Sequence, residues 1–459
     1  MYPPSINKIM AICKKNIDDK ISKLIAQIAS EDMRKKYLQN KNSYSYSNND
    51  IRDAFEKASL EFFEGNPKKA INATGIILHS NLGRSPLSKR ALEAICKVAN
   101  YSPLAQSTET GTRIDRDRFI SKLICSITGA ENATVVNNNT AGFALVINTF
   151  SKNKKTIVSR GELVKIGGSF SLPEILESSS GILKEVGCTN RTDIIDYEKA
   201  TDENTALYLK VSTSNFTIEG FHEEVTTKEL SKLAKEKNII FAYDLGSASF
   251  ADMSEFGFSN YKNPAKELKD GADIVFFSAD KILGGPQAGI IIGKDKYIKQ
   301  IKQNPLFRAV RVDKITLSAL SETILTYFDK KRLKEIPFIK MICYNIDDLQ
   351  KKAKTFYDLI NSKELEDKIN IINTYGYAGC GSMPNEKIDS IAVTLKTGIK
   401  STEFANFMRK EEIPIFVRIK DNTAYFDMRT TEEEDFEIIA NSIKKWYSNM
   451  TNKGDRNID

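Results

Sequence analysis

The sequence predicts an α/β protein. A mostly parallel seven-stranded large domain is followed by a small α+β C-terminal domain and preceded by a small helical N-terminal domain. Three observations carry this reading. Seven short apolar runs between about residues 130 and 293 alternate with helix-like or loop segments, and several are apolar throughout, as strands covered on both faces must be. Before residue 64, apolar residues recur at spacings of three and four. Beyond about residue 337, long helical patterns mix with further strand candidates.

Taken in chain order, Ile6, Ile9, Met10, Cys13, Ile17, Ile21, Leu24, Ile25 and Ile28 form one apolar stripe. Residues 40–49 are a polar linker, and a second amphipathic helix runs to Gly65-Asn-Pro67, so residues 1–64 read as a separate helical domain. Residues 65–336 hold the large sheet. Its strand candidates are 134–137, 156–159, 183–187, 206–211, 239–244, 273–278 and 288–293, and 294–336 is helix-like. Residues 337–459 form the C-terminal domain, with strand candidates at 390–395, 415–419 and 423–428.

Composition narrows the function. The chain has 459 residues, 41% hydrophobic and 28% charged, as ordinary globular proteins do. There is no apolar run of about 18 residues to span a bilayer, and the start (MYPPSINKIM) is unlike a secretory signal. The six cysteines, at 13, 96, 125, 188, 343 and 380, form no CxxC pair, which argues against a disulfide framework or a metal site and fits a reducing cytoplasm. Only His79 and His222 are present, so chemistry built on several histidines is disfavoured. The net charge of +7 permits an anionic partner without demanding one. Residues 1–41 carry nine Lys/Arg against four Asp/Glu, readable as a solvated helix surface or as an anion-facing one.

The strongest local pattern is Ser278-Ala-Asp-Lys281-Ile-Leu-Gly-Gly-Pro-Gln-Ala-Gly289, a strand end, a lysine and a glycine-rich turn. A lysine that forms an imine with a buried carbonyl cofactor needs such a rigid mount, and Ser278 suits a phosphate. A surface lysine in a tight turn is the plainer alternative. Upstream, Ile239-Ile-Phe-Ala-Tyr-Asp244 delivers a carboxylate at a strand end, able to keep a pyridine nitrogen protonated or simply to cap a helix. Val135-Val-Asn-Asn-Asn-Thr140 opens an apolar helix whose free N–H groups would suit a phosphate at Asn138, Asn139 and Thr140, with ordinary N-capping as the alternative. Phosphate cradle, ring-nitrogen aspartate and strand-end lysine come in the order expected of fold-type I pyridoxal 5'-phosphate (PLP) enzymes.

Several longer stretches resemble L-seryl-tRNA(Sec) selenium transferase, the bacterial selenocysteine synthase family. They are Ile71–Arg84, Val135–Asn139, Ser159–Phe170, Glu185–Arg191, Phe277–Gly289 and Pro305–Lys314, with thinner similarity at Pro3-Pro4 and Gly379–Pro384. Ala279, Ala248 and Cys188 depart from the residues expected there, without removing a reactive group. The resemblance implies conversion of L-seryl-tRNA(Sec) to L-selenocysteinyl-tRNA(Sec) with selenophosphate, through a PLP-bound aminoacrylyl intermediate. It assigns the imine and proton transfer to Lys281 and makes Asp280 a proton donor, an orienting group or a mere turn carboxylate. Arg84, Arg308 and Arg311 would bind selenophosphate, the last two from one helix face, with a subunit-interface ion pair as the alternative. It further implies tRNA recognition by residues 1–64 and a homo-oligomer, a decamer of five dimers, in the cytoplasm. Neither membrane nor DNA is an expected partner. No ring-stacking aromatic residue emerges. Two rival readings stay open: a PLP-dependent lyase or transferase acting on a free amino acid, and a non-catalytic RNA-binding relict.

Overall fold

The computed structural model describes residues 4–13, 18–39, 46–167, 170–213, 215–258, 261–380 and 386–452. Ile17, most of the polar linker, Pro3 and residues 381–384 lie outside these. The chain divides into two compact units, Met1–Lys69 and Ala70–Asp459.

The first unit is three helices, Ile6–Ile12, Asp19–Gln39 and Asn48–Phe62. Ser47 and Asp50 cap the third reciprocally, each side chain taking a backbone N–H of the other. Ile9, Ile25, Ala29, Met33, Ile51 and Phe55 are buried against one another, so the apolar stripe is consumed by the unit's own core. Leu24 was expected in that stripe but is 48% exposed. The first helix ends at Ile12 and the stripe does not continue as one helix, so the second helix sets its own buried face through Ile25, Ala26 and Ala29.

Among the described residues the second unit contains two main sheets and a two-stranded ribbon, Lys165–Ile166 with Phe170–Ser171. The strands of the main sheets are β1 (Ile71–Ala73), β2 (Asn132–Val136), β3 (Lys155–Ser159), β4 (Ile182–Val186), β5 (Thr205–Val211), β6 (Ile240–Ser247), β7 (Ile274–Ser278), β8 (Gly289–Gly293), β9 (Ile369–Tyr377), β10 (Lys387–Lys396), β11 (Ile415–Lys420) and β12 (Thr423–Asp427). The large sheet has seven strands in the order β2-β8-β7-β6-β5-β3-β4, and all seven coincide with sequence-predicted runs. Only β8 is antiparallel to its neighbours. Alternate residues of one strand feed two cores: Val275 and Phe277 pack on one face, Ile274 and Phe276 on the other. That is why these strands are apolar without alternation.

The small sheet runs β1-β11-β12-β10-β9 and packs its inner face on Ile346–Ile360, Ser401–Lys410 and Phe436–Asn452. Residues 71–73 therefore pair with Ile415–Val417 rather than with the large sheet. From β1 the chain runs on past Ala378, whose carbonyl accepts from Leu78 N at 2.8 Å, to Ser85, whose N–H donates to the Asp280 carbonyl at 3.3 Å. This segment carries the small domain's backbone to the lysine-bearing loop.

Candidate active site

The site is assembled where β2, β6 and β7 end and β8 begins. Asp244 sits in β6 and is buried. Its Oδ1 accepts from Asn139 Nδ2 at 2.7 Å and from Gly246 N at 2.8 Å. Burial pushes its carboxyl up to about 6, against the opposing pull of those two hydrogen bonds and of the Lys281 charge. A buried carboxylate held so high has no adequate cation beside it.

Lys281 lies three residues past β7 and is 8% exposed. Among the described residues its amine makes one hydrogen bond, a long one to the Gly246 carbonyl at 3.5 Å. Burial lowers its pKa, opposed by Cys380, Asp280 and Asp244 and assisted by Arg84. The loop is held by Ala279 N donating to Ala288 O at 2.9 Å and by Gly284 N donating to Lys281 O at 2.9 Å. Gly284 has φ +77°, and a Cβ there would come within 2.3 Å of Ile336, so both backbone and packing require glycine.

Ser278 is buried and pairs with Ser247 on one side and Gly289 on the other. Gly289 in turn opposes Val136, and a Cβ on it would lie 2.4 Å from the Asn138 carbonyl oxygen. Ser278 and Asn138 are thus brought together across β7, β8 and β2. Asn138 is the N-cap of the helix Asn139–Phe150, its side chain accepting from Ala141 N at 2.8 Å. Its amide performs the ordinary capping role. The first N–H groups of any helix lack intrahelical partners, so the Asn139 and Thr140 amides are the donors such a terminus offers an anion. The Thr140 side chain is exposed beside them. Asn139 Oδ1 is buried and has no hydrogen-bond partner among the described residues.

These features fit pyridoxal phosphate on four counts. There is a buried carboxylate wanting a cation, a buried amine without a strong partner, a helix N-terminus for the phosphate, and an orphaned amide oxygen beside the carboxylate.

The three arginines come from two separate segments of chain, Arg84 from the loop just before Ser85, whose N–H donates to the Asp280 carbonyl, and the other two from the stretch after β8. Arg84, at φ +68° after Gly83, pairs with Asp280 Oδ2 at 2.5 Å and lies close enough to Cys380 for the thiol to favour its charge. Burial disfavours its charge, and Asp280 more than offsets this. Arg308 and Arg311 do not share a helix face as expected. The helix Phe307–Val310 ends before Arg311, which is extended (φ −72°, ψ 144°) because it bridges Val136 of β2. Arg311 instead feels the charges of Arg116, Arg308 and Arg113.

Sequence reasoning gave Asn139 to the phosphate without foreseeing that its side-chain amide holds Asp244, and it missed three further residues. Cys380, in the left-handed region at φ +52°, stands beside Lys281 and Arg84. The only signal for it was its place in the Gly379–Pro384 motif. Arg113 and Arg116 carried no motif at all.

The raised pKa of Asp244 makes a stability prediction for the cofactor-free protein. A carboxyl whose folded pKa lies above its unfolded value contributes stability at low pH, fully present below about 3.8 and lost as pH rises through about 6. Asp244→Asn is expected to remove that loss, stabilising the cofactor-free protein near pH 8 by up to about 3 kcal/mol, two pKa units' worth. Urea melts of cofactor-free protein at low and high pH check this. Equal pH dependence in the two proteins would contradict it.

A family model described as L-seryl-tRNA selenium transferase matches residues 70–432. The L-seryl-tRNA(Sec) selenium transferase of Alkaliphilus oremlandii (strain OhILAs) is 42% identical over 392 residues, 85% of this chain and 84% of that one. The protein of the same name from Aquifex aeolicus (strain VF5) is 40% identical over 449 residues, 97% and 98% of the two chains. Among solved structures, D-glucosaminate-6-phosphate ammonia-lyase superposes with a TM-score of 0.58 at 18% identity, covering 84% of this chain and 97% of that one. That likeness supports the fold.

Proposed function

The chain belongs to the L-seryl-tRNA selenium transferase family, and from that premise we propose that it converts L-seryl-tRNA(Sec) to L-selenocysteinyl-tRNA(Sec) with PLP as cofactor and selenophosphate as selenium donor. The observation that carries the reading is a buried Lys281 and a buried Asp244 at adjoining strand ends, in a chain 40% identical to a named transferase over 97% of its length.

PLP, when bound, supplies the electron sink that makes the seryl α-hydrogen acidic and the β-hydroxyl a leaving group. The rest falls to the protein. Asp244, its Oδ1 fixed by Asn139 and the Gly246 amide, would keep a proton on the ring nitrogen. Asn138, Thr140 and Ser278 stand at the end of the site that would take the cofactor's phosphate. The Lys281 amine, its pKa lowered by burial, is more often neutral than an exposed lysine and so better able to take the α-proton. Asp280, ion-paired with Arg84, acts as an acceptor that aims the guanidinium. To donate a proton it would first have to leave that pair. Arg84, Arg308 and Arg311 are the cations we assign to selenophosphate.

The rival reading, a free amino acid as substrate, separates cleanly. Exchange of the α-hydrogen in deuterated water should occur on seryl-tRNA and be undetectable on free serine. Equal exchange on both would overturn the tRNA reading.

Residues 1–64 we assign to tRNA recognition. The basic excess lies within residues 1–41, and over 1–64 it narrows to eleven Lys/Arg against nine Asp/Glu; Lys8, Lys20, Lys23, Arg34, Lys35 and Lys36 are exposed around a core that the three helices fill themselves. A protein beginning at Ala70 is expected to fold and hold PLP but to bind seryl-tRNA at least about tenfold more weakly, roughly 1.4 kcal/mol, with the difference shrinking as salt rises. Undiminished affinity in a filter-binding titration would refute the assignment. The family resemblance also supports a homodecamer of five dimers in the cytoplasm, which analytical ultracentrifugation would check. Among the described residues no helix is long and apolar enough to cross a membrane.

A further inference from the structure

A cavity of about 750 Å³ lies at the ends of β5 and β6. Its wall is continuous with the active site. Ser212 lines it and donates its N–H to the Asp244 carbonyl at 2.8 Å. Tyr243 and Leu245, on either side of Asp244, line it too, as does Ile282, the residue after Lys281. The volume is that of an ordinary small-molecule pocket, which spans about 300–1,000 Å³. None of these four residues has a part in the chemistry assigned above.

The lining restricts the occupant. Among the described residues, four carboxylates (Glu224, Asp252, Glu267 and Glu386) face two lysines, Lys262 and Lys266. Glu224 is held by Lys210 at 3.1 Å and Lys262 at 3.5 Å, Glu267 accepts from Thr227 at 2.5 Å, and Asp252 accepts from Ser254 N at 3.0 Å. A small anion would meet an excess of negative charge here, so the cavity is unsuited to phosphate-like ligands. Among the described residues no group of such side chains is placed to hold a metal ion. Tyr243 is 1% exposed, with its ring 5.7 Å from Lys210 Nζ. Burial keeps its phenol protonated, and among the described residues its hydroxyl makes no hydrogen bond. A hydroxyl so buried needs a partner, and the cavity is where one can reach it. Phe216, Phe258 and Tyr261 add aromatic surface to the same wall. Aromatic surface suits the flat face of a base, and hydroxyl and carboxylate oxygens suit its amine and the ribose hydroxyls.

We propose that this cavity receives the terminal adenosine of seryl-tRNA, with the Tyr243 hydroxyl hydrogen-bonded to the nucleoside. The proposal rests on the tRNA reading above and deepens it. A seryl group that reacts at Lys281 is esterified to the ribose of that nucleoside, so only the ester separates the two. A nucleoside next to the reacting carbons therefore needs a place adjoining Asp244 and Lys281, and the cavity adjoins both.

The test measures α-hydrogen exchange in deuterated water on the full-length, PLP-loaded enzyme. The probes are 3'-O-seryladenosine, serine methyl ester and seryl-tRNA. The wild-type protein is expected to use seryladenosine about 5- to 150-fold better than the methyl ester in kcat/KM, the range one base–aromatic stack supplies. Tyr243→Phe should lower kcat/KM for seryladenosine by about 2- to 12-fold, the worth of one neutral hydrogen bond, and lower that for the methyl ester by less. Ser254 is exposed on the cavity wall, so Ser254→Trp fills the space without touching the core. That variant should abolish the advantage of seryladenosine while leaving exchange of the methyl ester unchanged, and it carries the test should Tyr243→Phe fail to fold. Equal use of the two small esters by the wild type, with seryl-tRNA still exchanged, would overturn the cavity assignment and leave the tRNA reading standing. No exchange on seryl-tRNA either would sink both. Equal losses on the two esters in both variants would show that the cavity wall supports the cofactor site instead, and would also overturn the proposal.

Discussion

Lys281→Ala is expected to lower turnover of seryl-tRNA by roughly a thousandfold or more, with the fold intact. The lysine serves twice, as the covalent anchor of the cofactor and as the group that moves the α-proton, and positioned proton transfer alone contributes on the order of 10²–10⁴ in rate. The site offers no evident substitute: the other groups acting on Lys281 are Cys380, Asp280, Asp244 and Arg84. Of these, Asp280 is engaged by Arg84 and Asp244 by Asn139. Added methylamine should restore a measurable part of the loss, since a free amine can replace the proton carrier but not the tether. Wild-type turnover in the variant, measured on purified protein, would remove Lys281 from the chemistry.

Asp244→Asn should keep bound PLP yet lose about 10- to 1,000-fold in the rate of α-hydrogen exchange. This is the span of one to three pKa units that an adjacent opposite charge typically supplies. The neutral amide can still accept the hydrogen bond from Asn139, so geometry is largely retained while the charge is gone. A loss confined to cofactor affinity, with exchange per bound cofactor unchanged, would show Asp244 to be structural. Asn139→Ala offers a graded version. Without its amide donor, the carboxylate keeps only the Gly246 amide as a named hydrogen-bond donor, and a smaller loss of the same kind is expected.

Much of this was legible in the residues. β7 (IVFFS) and β8 (GIIIG) are apolar at every position or nearly so, which only a doubly covered strand tolerates, and Asp244 and Lys281 stand at the ends of such strands. Two strands of the main sheets escaped notice, as did the short ribbon Lys165–Ile166 with Phe170–Ser171. β1 is three residues long, and β9 (INIINTYGY) alternates weakly because, as an edge strand, it leaves several side chains partly exposed. Pairings across long stretches of chain were invisible for a different reason. Asn139 meets Asp244 over 105 residues and Arg84 meets Asp280 over 196, and nothing local announces either contact. The expected shared helix face of Arg308 and Arg311 failed because backbone bridging to Val136 ends the helix one residue too soon. Leu24 fitted the apolar spacing, yet the second helix turns it to solvent.

The central claim is that a seryl group carried on tRNA, rather than a free amino acid, is transformed at Lys281. Its most direct test is to incubate purified PLP-loaded protein with seryl-tRNA(Sec) and selenophosphate, hydrolyse the ester and identify the released amino acid by mass spectrometry. Selenocysteine from the wild-type protein and only serine from Lys281→Ala is the expected result. Serine alone from both, with PLP bound and the tRNA intact, would contradict the account.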